Sequence, residues 1–536
     1  MPTANRNNPY NFDSFLSWRS KVDYYQDDPF IQKTLRHFSG DDWKQVDAAA
    51  RKLSSKVSFH WRDLADIAAR PINLPSILHY DAHNHRIDRI VRPMETLLME
   101  KEVFNEALFS KDTSSWERLI KMFLIYQNGE ACIACPLTCT EGLVAILEAY
   151  ATTPETKKIL SHCKEGIDGE FGIGAQYLSE IQGGSDIPAN MLEAIEEGDS
   201  WKLYGTKFFC SATHADYAVV TAKPRGSENI GIFVVPSWMP GYKEKEIRNG
   251  FTIDRIKWKM GTSELTTGEI TFNGAVAYPL GPFERGLANV VGIVLTYSRL
   301  TVGLSGAASM TRAAREAKKY SEFREAFGRE ISQFPMIASQ IAELEKHARR
   351  STAAAFKIYQ QFLQLDGKIK VGIDLNEPAA VRRKRFDVRE LVMLQKITTS
   401  WDAVDQLRTA MSIFGGHGVI EDFSSLPRLY RDAAVNELWE GPRNVLLNQI
   451  HRDLQKVRSW YAPADFVRSI LTGADSGLVA DFAKEMDNLV AQPNLIEQNA
   501  STAKTCVKWN TFCHRLFHVY QDLALDEIVN TSSPEI

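Results

Sequence analysis

The stretch MSIFGGHGVIEDFSSLPRLYRDAAVNELWEG, Met411 to Gly441, holds more chemistry than any other segment of this chain. It opens on three glycines, Gly415, Gly416 and Gly418, and runs through an arginine-bearing segment from Arg428. It ends with Glu437 and Glu440 bracketing Trp439, just before a Gly-Pro break. The glycines leave backbone N–H groups open to a phosphate-bearing ligand. They follow a helical pattern and no strand, so this is not a Rossmann fingerprint. The two acids raise the question of what a carboxylate does against a tryptophan at the edge of a turn.

Working outward, the texture of the chain changes twice. Residues 1–170 read as helical, with apolar positions at helical spacing in PMETLLMEKEVFNEAL and TEGLVAILEAY. Residues 171–285 carry short β-branched and aromatic runs broken by Gly, Asn and Asp, as in WKLYGTKFFCSATHADYAVVTAKP and GEITFNGAVAYPLG. From 286 to 450 long helical periods return, such as QFPMIASQIAELEKHARRSTAAAFKIYQQFLQ, with the basic stretch DGKIKVGIDLNEPAAVRRKR as a loop between two helices. A last helical segment covers 451–536. The expected fold is mainly α with a central β domain: an N-terminal helical domain, a middle β-barrel or sandwich, a C-terminal four-helix bundle and an added helical region.

Bulk numbers fit this reading. The 536 residues are 44% hydrophobic and 24% charged, with a net charge of -4, an ordinary globular balance without the basic excess of a nucleic-acid binder. No uninterrupted run of 18 apolar residues appears, so no membrane span is expected. The N-terminus lacks an apolar signal core and SSPEI is not a peroxisomal address, which makes the cytoplasm the expected compartment. Of seven cysteines, Cys132, Cys135 and Cys139 cluster at spacings that place them on one helical face. With no fourth ligand nearby they read as buried small hydrophobes, and no metal site is expected.

Three further segments bear on a ligand. YLSEIQGGSD, Tyr177 to Asp186, puts the hydroxyls of Ser179 and Ser185 around a Gly-Gly pair. GTKFFCSATHADYAVV sets Phe209, Cys210 and Ser211 together, a ring beside a hydroxyl, which suits a flat heterocycle. FREAFGRE spaces Arg324 and Phe327 three apart, on one face if helical, where a guanidinium and a ring could hold a pyrophosphate and an adenine.

In order and spacing, SExxGGSD, GxKxFxS, RxxFG, FGGxG and RLYRDAxxxxxWEG resemble the acyl-CoA dehydrogenase family over roughly residues 80 to 450. ILHYDAHNHRIDRIVRP, CPLTCT and VNELWEG, with the extra C-terminal length, are similar to its AidB-type branch.

The resemblance implies FAD, held in extended form between the β domain and the bundle in a dimer of dimers. It implies that Ser179 and the backbone of Tyr177 and Leu178 meet the flavin, with Ser185 near the pyrophosphate. Phe209 would pack on the ring system, Cys210 would lie beside it, and Ser211 would approach N5. Arg324 and Phe327 would serve the adenine end of a neighbouring subunit's FAD. Gly415 and Gly416, and Leu438, Trp439, Gly441 and Asn444, would complete the cofactor site.

Glu440 becomes the base that takes the α-proton of an acyl-CoA thioester while the β-hydride passes to flavin N5. Burial beside Trp439 raises the pKa and basicity such a residue needs. Some relatives carry the base just before the helix arginine, but that position here is Ser298, which cannot serve. Glu437 reads as a solvated or helix-start acid. The sequence departs from the family at Ser412, in place of a glutamine, at Pro442-Arg443 after the base, and at Trp439, where a tyrosine is usual. The electron acceptor is not legible.

Two other functions compete: a DNA-associated protective flavoprotein of the AidB type, and a flavin oxidase or oxygenase of a biosynthetic pathway. The first wants a basic C-terminal surface, yet residues 451–536 hold 8 Lys and Arg against 11 Asp and Glu. The second is disfavoured by the glutamate itself.

Overall fold

The computed structural model describes residues 11–198, 200–365, 376–492 and 495–530. Helices come first, and their starts follow local chemistry. Asp28 accepts a hydrogen bond from the Ile31 N–H ahead of Pro29–Ser39, Ser114 from Glu117 ahead of Ser115–Tyr126, and Thr153 from Thr156 ahead of Pro154–Glu165. The N-terminal region is not purely helical. An antiparallel hairpin of β1 (Ser76–Tyr80) and β2 (Arg86–Val91) interrupts it, tied to the β domain by Asp88, which accepts from the Ile253 N–H at 3.0 Å.

The β domain is built from β3 (Gly174–Tyr177), β4 (Glu193–Glu197), β5 (Ser200–Ser211), β6 (Tyr217–Pro224), β7 (Gly231–Pro236), β8 (Phe251–Ile256) and β9 (Thr267–Pro279). The spatial order is β3-β6-β4-β5-β9-β7, with β8 also on β9, and β7 returns to pair with β6. The pairing circuit β6-β4-β5-β9-β7 therefore closes into a barrel, with β3 and β8 each paired on one side only. Leu203, Lys207 and Cys210 of β5 are buried, along with Ile232 to Val234 of β7. Lys207 is tolerated inside because its ammonium donates to Glu180 at 2.8 Å, to the Leu178 carbonyl and to Thr221.

The bundle follows, with long helices Leu295–Phe323, Pro335–Leu363 and Ala379–Ile413 and the shorter Leu426–Asn436. Small residues set close packing: a Cβ on Gly303 would meet the Gln395 side chain, and one on Gly306 would lie 2.9 Å from Thr399. Among the described residues, the helical stretch Phe283–Phe323 is long and apolar enough by composition to cross a membrane, a feature missed by counting uninterrupted apolar runs. In this fold 72% of its most apolar window is buried, as expected of a central bundle helix.

The helix Arg443–Val457 runs through residue 450 without a break, and the added helices pack on the bundle through Trp509, Phe512, Leu516 and Phe517. Ala500–Asn530 lies along Pro335–Leu363 and Ala379–Ile413. Of the basic stretch that begins at Asp366, residues 366–375 lie outside the described residues, as do the two chain ends, 1–10 and 531–536. Cys132 precedes the helix Ala134–Tyr150 in a turn of its own at φ 59°, so only Cys135 and Cys139 share a helical face, their sulfurs 3.7 Å apart. All three are buried.

Candidate active site

Glu440 sits in the turn between the helices Leu426–Asn436 and Arg443–Val457. It has φ 58° and Gly441 has φ 98°, so two successive residues occupy left-handed conformations. A side-chain-bearing residue adopts that only when its surroundings impose it. Here the surroundings are two buried cations. Arg299 Nε donates to the Glu440 carbonyl at 3.0 Å, and Lys396 Nζ donates to the Glu437 and Gly441 carbonyls at 2.9 and 2.7 Å. The turn is gripped by its backbone, and the Glu440 side chain is left for other work.

That side chain lines a cavity of about 590 Å³, part of it open to solvent, enclosed by the N-terminal helices, the β8–β9 loop and the bundle. Trp439, Thr262, Thr301, Ser305 and Glu130 are among its walls. Glu440 Oε2 and Trp439 Nε1 are both buried and find no hydrogen-bond partner among the described residues. A buried acceptor and donor left unpaired in one cavity are costly unless a ligand uses them. Burial pushes the Glu440 carboxyl up to about 6, with Arg299 and Lys396 pulling it back. Burial also brings Lys396 down to about 7, against the pull of Glu440.

Ser298 does not line the cavity. Its hydroxyl is buried against Gln176 and the Val294 carbonyl. Glu437 is neither solvated nor at a helix start: it caps the C-terminal end of Leu426–Asn436, half-buried, and burial raises its carboxyl.

The other residues singled out in the sequence fall into two further patches. The first lies at strand ends, where β3 leads into Leu178 and Ser179 and β5 ends at Ser211, joined by the Phe208 N–H donating to the Ser179 carbonyl at 3.0 Å. Phe209 is half exposed beside Lys257, whose ammonium lies 4.7 Å from its ring centre, and Trp258 is 96% exposed. Ser185 is exposed, Ser211 Oγ lies 3.3 Å from Thr267 Oγ1, and a Cβ on Gly184 would collide with Ser179. The side chains of Tyr177 and Cys210 are in the core, so only their backbone can serve a ligand.

The second patch is at the far end of the bundle. Arg324 and Phe327 are not on a helix. Arg324 ends Leu295–Phe323 in an extended conformation, and Phe327 sits at φ 52° in the tight turn between β10 (Glu325–Ala326) and β11 (Arg329–Glu330), 97% exposed. The glycine of AFGR closes a hairpin, which helical spacing could not reveal. Gly415 and Gly416 stand nearby with open space where a Cβ would go, linked to the same helix end by Tyr320 Oη at 3.1 Å from His417. Gly418 is different: a Cβ there would collide with the Met411 carbonyl, so it serves packing and leaves no backbone exposed. Beside the Glu440 turn, Leu438 and Asn444 are exposed, and a Cβ on Gly441 would press on Leu446.

Sequence reading picked out the RLYRDA motif but missed that its Arg428 and Asp432 join these parts, and missed Glu130 altogether. Asp432 accepts from the N–H groups of Glu130 and Thr262, at 3.1 and 2.7 Å, so it ties the N-terminal helices and the barrel to the bundle. Arg428 donates to the Asn128 carbonyl at 2.7 Å and pairs with Asp66 at 3.0 Å. Glu130 lines the cavity, its carboxyl raised by burial and by Asp432 and Glu264. Only the Asn128-Gly129 pair, a turn signal, hinted that this stretch matters.

The chain matches three consecutive family models. These are the adaptive response protein AidB N-terminal domain at residues 17–163, the acyl-CoA dehydrogenase middle domain at 175–275 and the acyl-CoA dehydrogenase C-terminal domain at 284–455. Acyl-CoA dehydrogenase family member 11 of Caenorhabditis elegans is 25% identical over 506 residues, 90% of this chain and 76% of that protein. The putative acyl-CoA dehydrogenase AidB of Escherichia coli is 26% identical over 82% of this chain and 79% of its own length. In fold, the chain matches Bd2924 in its apo form at TM-score 0.82 and 23% identity, over 95% of this chain and 98% of that one. It matches C. elegans ACDH-11, solved in complex with C11-CoA, at TM-score 0.79 and 23% identity, over 95% and 88%. With the helical, barrel and bundle layers in family order, the chain belongs to the acyl-CoA dehydrogenase family of oxidoreductases that act on CH–CH groups, and it carries an AidB-type N-terminal domain.

Proposed function

We propose that the protein is an FAD-dependent acyl-CoA dehydrogenase in which Glu440 removes the α-proton of an acyl thioester. One observation carries this: a carboxyl oxygen lies unpartnered in the cavity, on a turn whose backbone is fixed by Arg299 and Lys396. A base must be ionised to act, and a carboxyl near 6 is ionised at neutral pH yet more basic than a free glutamate. The cations that hold the turn bond to its carbonyls, which leaves the carboxylate free to accept a proton.

The residues present fit a flavin. The half-exposed ring of Phe209, the hydroxyls of Ser179 and Ser211, and the close Gly184 approach to Ser179 come together at the strand ends, an apolar ring beside hydrogen-bonding groups that suits a flat heterocycle. FAD bound there supplies the acceptor for the hydride that leaves the β-carbon. Arg324, Phe327, Gly415 and Gly416 lie in the bundle-end patch, and we assign them to the adenine end of a neighbouring subunit's FAD. A homotetramer built as a dimer of dimers goes with that assignment, in which a neighbouring subunit covers the Phe327 ring, exposed in the single chain. A cytoplasmic location goes with this reading, and an acyl-CoA is the substrate class.

The test is anaerobic. The purified, FAD-loaded protein is mixed with acyl-CoAs of graded length, and loss of the flavin's visible absorption is followed. Bleaching by at least one acyl-CoA and none by free acids is the expected result. A colourless protein after FAD loading and dialysis overturns the proposal.

A further inference from the structure

Away from the cavity, three helices bring histidines around one buried carboxylate. Asp402 comes from Ala379–Ile413, His347 from Pro335–Leu363, and His514 and His518 from Ala500–Asn530. Asp402 is 3% exposed. Its Oδ2 is 2.8 Å from His518 Nε2 and 3.5 Å from His347 Nδ1, while His514 Nε2 lies 3.5 Å from Oδ1. Donor atoms of His347, Asp402 and His518 all fall within 4.8 Å of one another.

We propose that His347, Asp402 and His518 bind a divalent first-row transition metal, Zn²⁺ in particular, with His514 at the fourth position, and that this ion clips the C-terminal helix to the bundle. Imidazole is the borderline donor that suits zinc, and a carboxylate oxygen, though harder, is also a common zinc ligand. In a tetrahedral zinc site with bonds near 2.0–2.1 Å, neighbouring donor atoms stand about 3.3 Å apart, so small side-chain shifts close the observed set around an ion. His514 and His518 are four residues apart, one above the other on a single helical face.

The outer surroundings decide how each ligand contributes. Glu343 lies 3.9 Å from His347 Nε2, the nitrogen left over when Nδ1 binds metal, close enough to favour a positive ring but beyond hydrogen-bond distance. Arg350 also approaches the group, 3.8 Å from Asp402 and 3.1 Å from the His347 ring nitrogens, and its charge is offset by Asp522 at 3.6 Å. Arg443 stands 3.5 Å from His514 Nδ1, which makes His514 the weakest ligand of the four. The ligands stand 55, 112 and 4 residues apart along the chain, so no sequence motif announces them.

The test uses the full-length holoprotein, stripped with a chelator and titrated calorimetrically with ZnCl₂. One equivalent should bind with sub-micromolar affinity and raise the unfolding temperature, and readdition of chelator should reverse the shift. His518→Ala and Asp402→Asn should each weaken binding by at least about 100-fold, and His514→Gln by about 10-fold, the range in which changes around a metal site act. Circular dichroism checks that the variants fold; if Asp402→Asn does not, His518→Ala and His514→Gln decide alone. Absence of saturable zinc uptake in the wild type overturns the proposal, as does uptake unchanged in His518→Ala, which would place the ion elsewhere. In that case Asp402 is the charge partner of Arg350 and the histidines, with no metal.

Discussion

The two ends of one eleven-residue helix, Leu426–Asn436 and the turn that follows it, are built on opposite rules. In its first two turns, Arg428 and Asp432 are buried and paired: guanidinium to Asn128 and Asp66, carboxylate to two backbone N–H groups from different domains. Just beyond its end, Glu440 and Trp439 are held by their backbone and packing while a polar atom of each stays unpaired. One segment of the chain thus contains a structural knot and a reactive group a few turns apart. Residue type does not separate Asp432 from Glu440, since both are acids with a basic neighbour. Hydrogen-bond satisfaction does. The paired charges hold the fold together, and the unpaired carboxyl oxygen at 440 faces a cavity that a ligand can enter.

Five outcomes sharpen or break that contrast. The largest effect belongs to the paired end. Arg428→Ala takes the guanidinium from Asp432, 3.9 Å away, and from Asp66, which keeps Arg19 at 3.5 Å, and should cost about 3 kcal/mol of stability, read by urea unfolding. The rate of flavin reduction in the protein that remains folded should change little; a rate collapse in folded Arg428→Ala would merge the two ends into one site.

The unpaired end should behave in reverse. Glu440→Gln is expected to slow substrate reduction by at least about 10²-fold in stopped-flow measurements while FAD is retained. Wild-type rates in that variant would remove Glu440 from the reaction.

Its stability change should have the opposite sign to that of Arg428→Ala. The folded carboxyl titrates near 6 against 4.5 in the unfolded chain, so the folded state holds its proton more tightly in that window. Stability from this group therefore falls as pH rises from 4.5 to 6 and is level above. A neutral Gln escapes that penalty, and Glu440→Gln should be more stable than the wild type by about 2 kcal/mol at pH 7, with the gain vanishing near pH 4. The same carboxyl sets the wild-type rate profile: reduction should fall about tenfold per pH unit below 6. A rate flat to pH 5 would contradict a base with that pKa.

The smallest effect is at Trp439→Phe, which removes an indole N–H that bonds to nothing described. Thermal unfolding should move by less than about 1 kcal/mol, because no hydrogen bond is lost. A larger loss would mean that the N–H is paired in solution.

Much of the fold was legible because it is written in local periods. The helical spacing of Pro335–Leu363 and the β-branched runs of the barrel are repeats shorter than ten residues, and they placed the helical, barrel and bundle layers in order. Readings failed where the same local pattern fits two geometries. Arg324 and Phe327 are spaced for a helix but flank a hairpin, because Gly328 at φ 81° follows Phe327 at φ 52° in a tight turn. Glu437 reads as the start of the next helix and is instead the end of the previous one, and Cys132 falls in a turn before the helix that holds its two neighbours. The hairpin at Ser76–Val91 went unread in a region that otherwise showed helical spacing.

The sequence by itself determined the order of the layers, the family motifs and the presence of an acid at 440. Only the tertiary structure decided which polar atoms are paired. Asp432 meets Glu130 across 302 residues, Arg299 meets Glu440 across 141, and His518 meets Asp402 across 116. Periodicity is a sum over one or two turns of chain, whereas satisfaction of a buried charge is a sum over everything that surrounds it in space, and that surrounding exists only once the helices and the barrel have closed on one another.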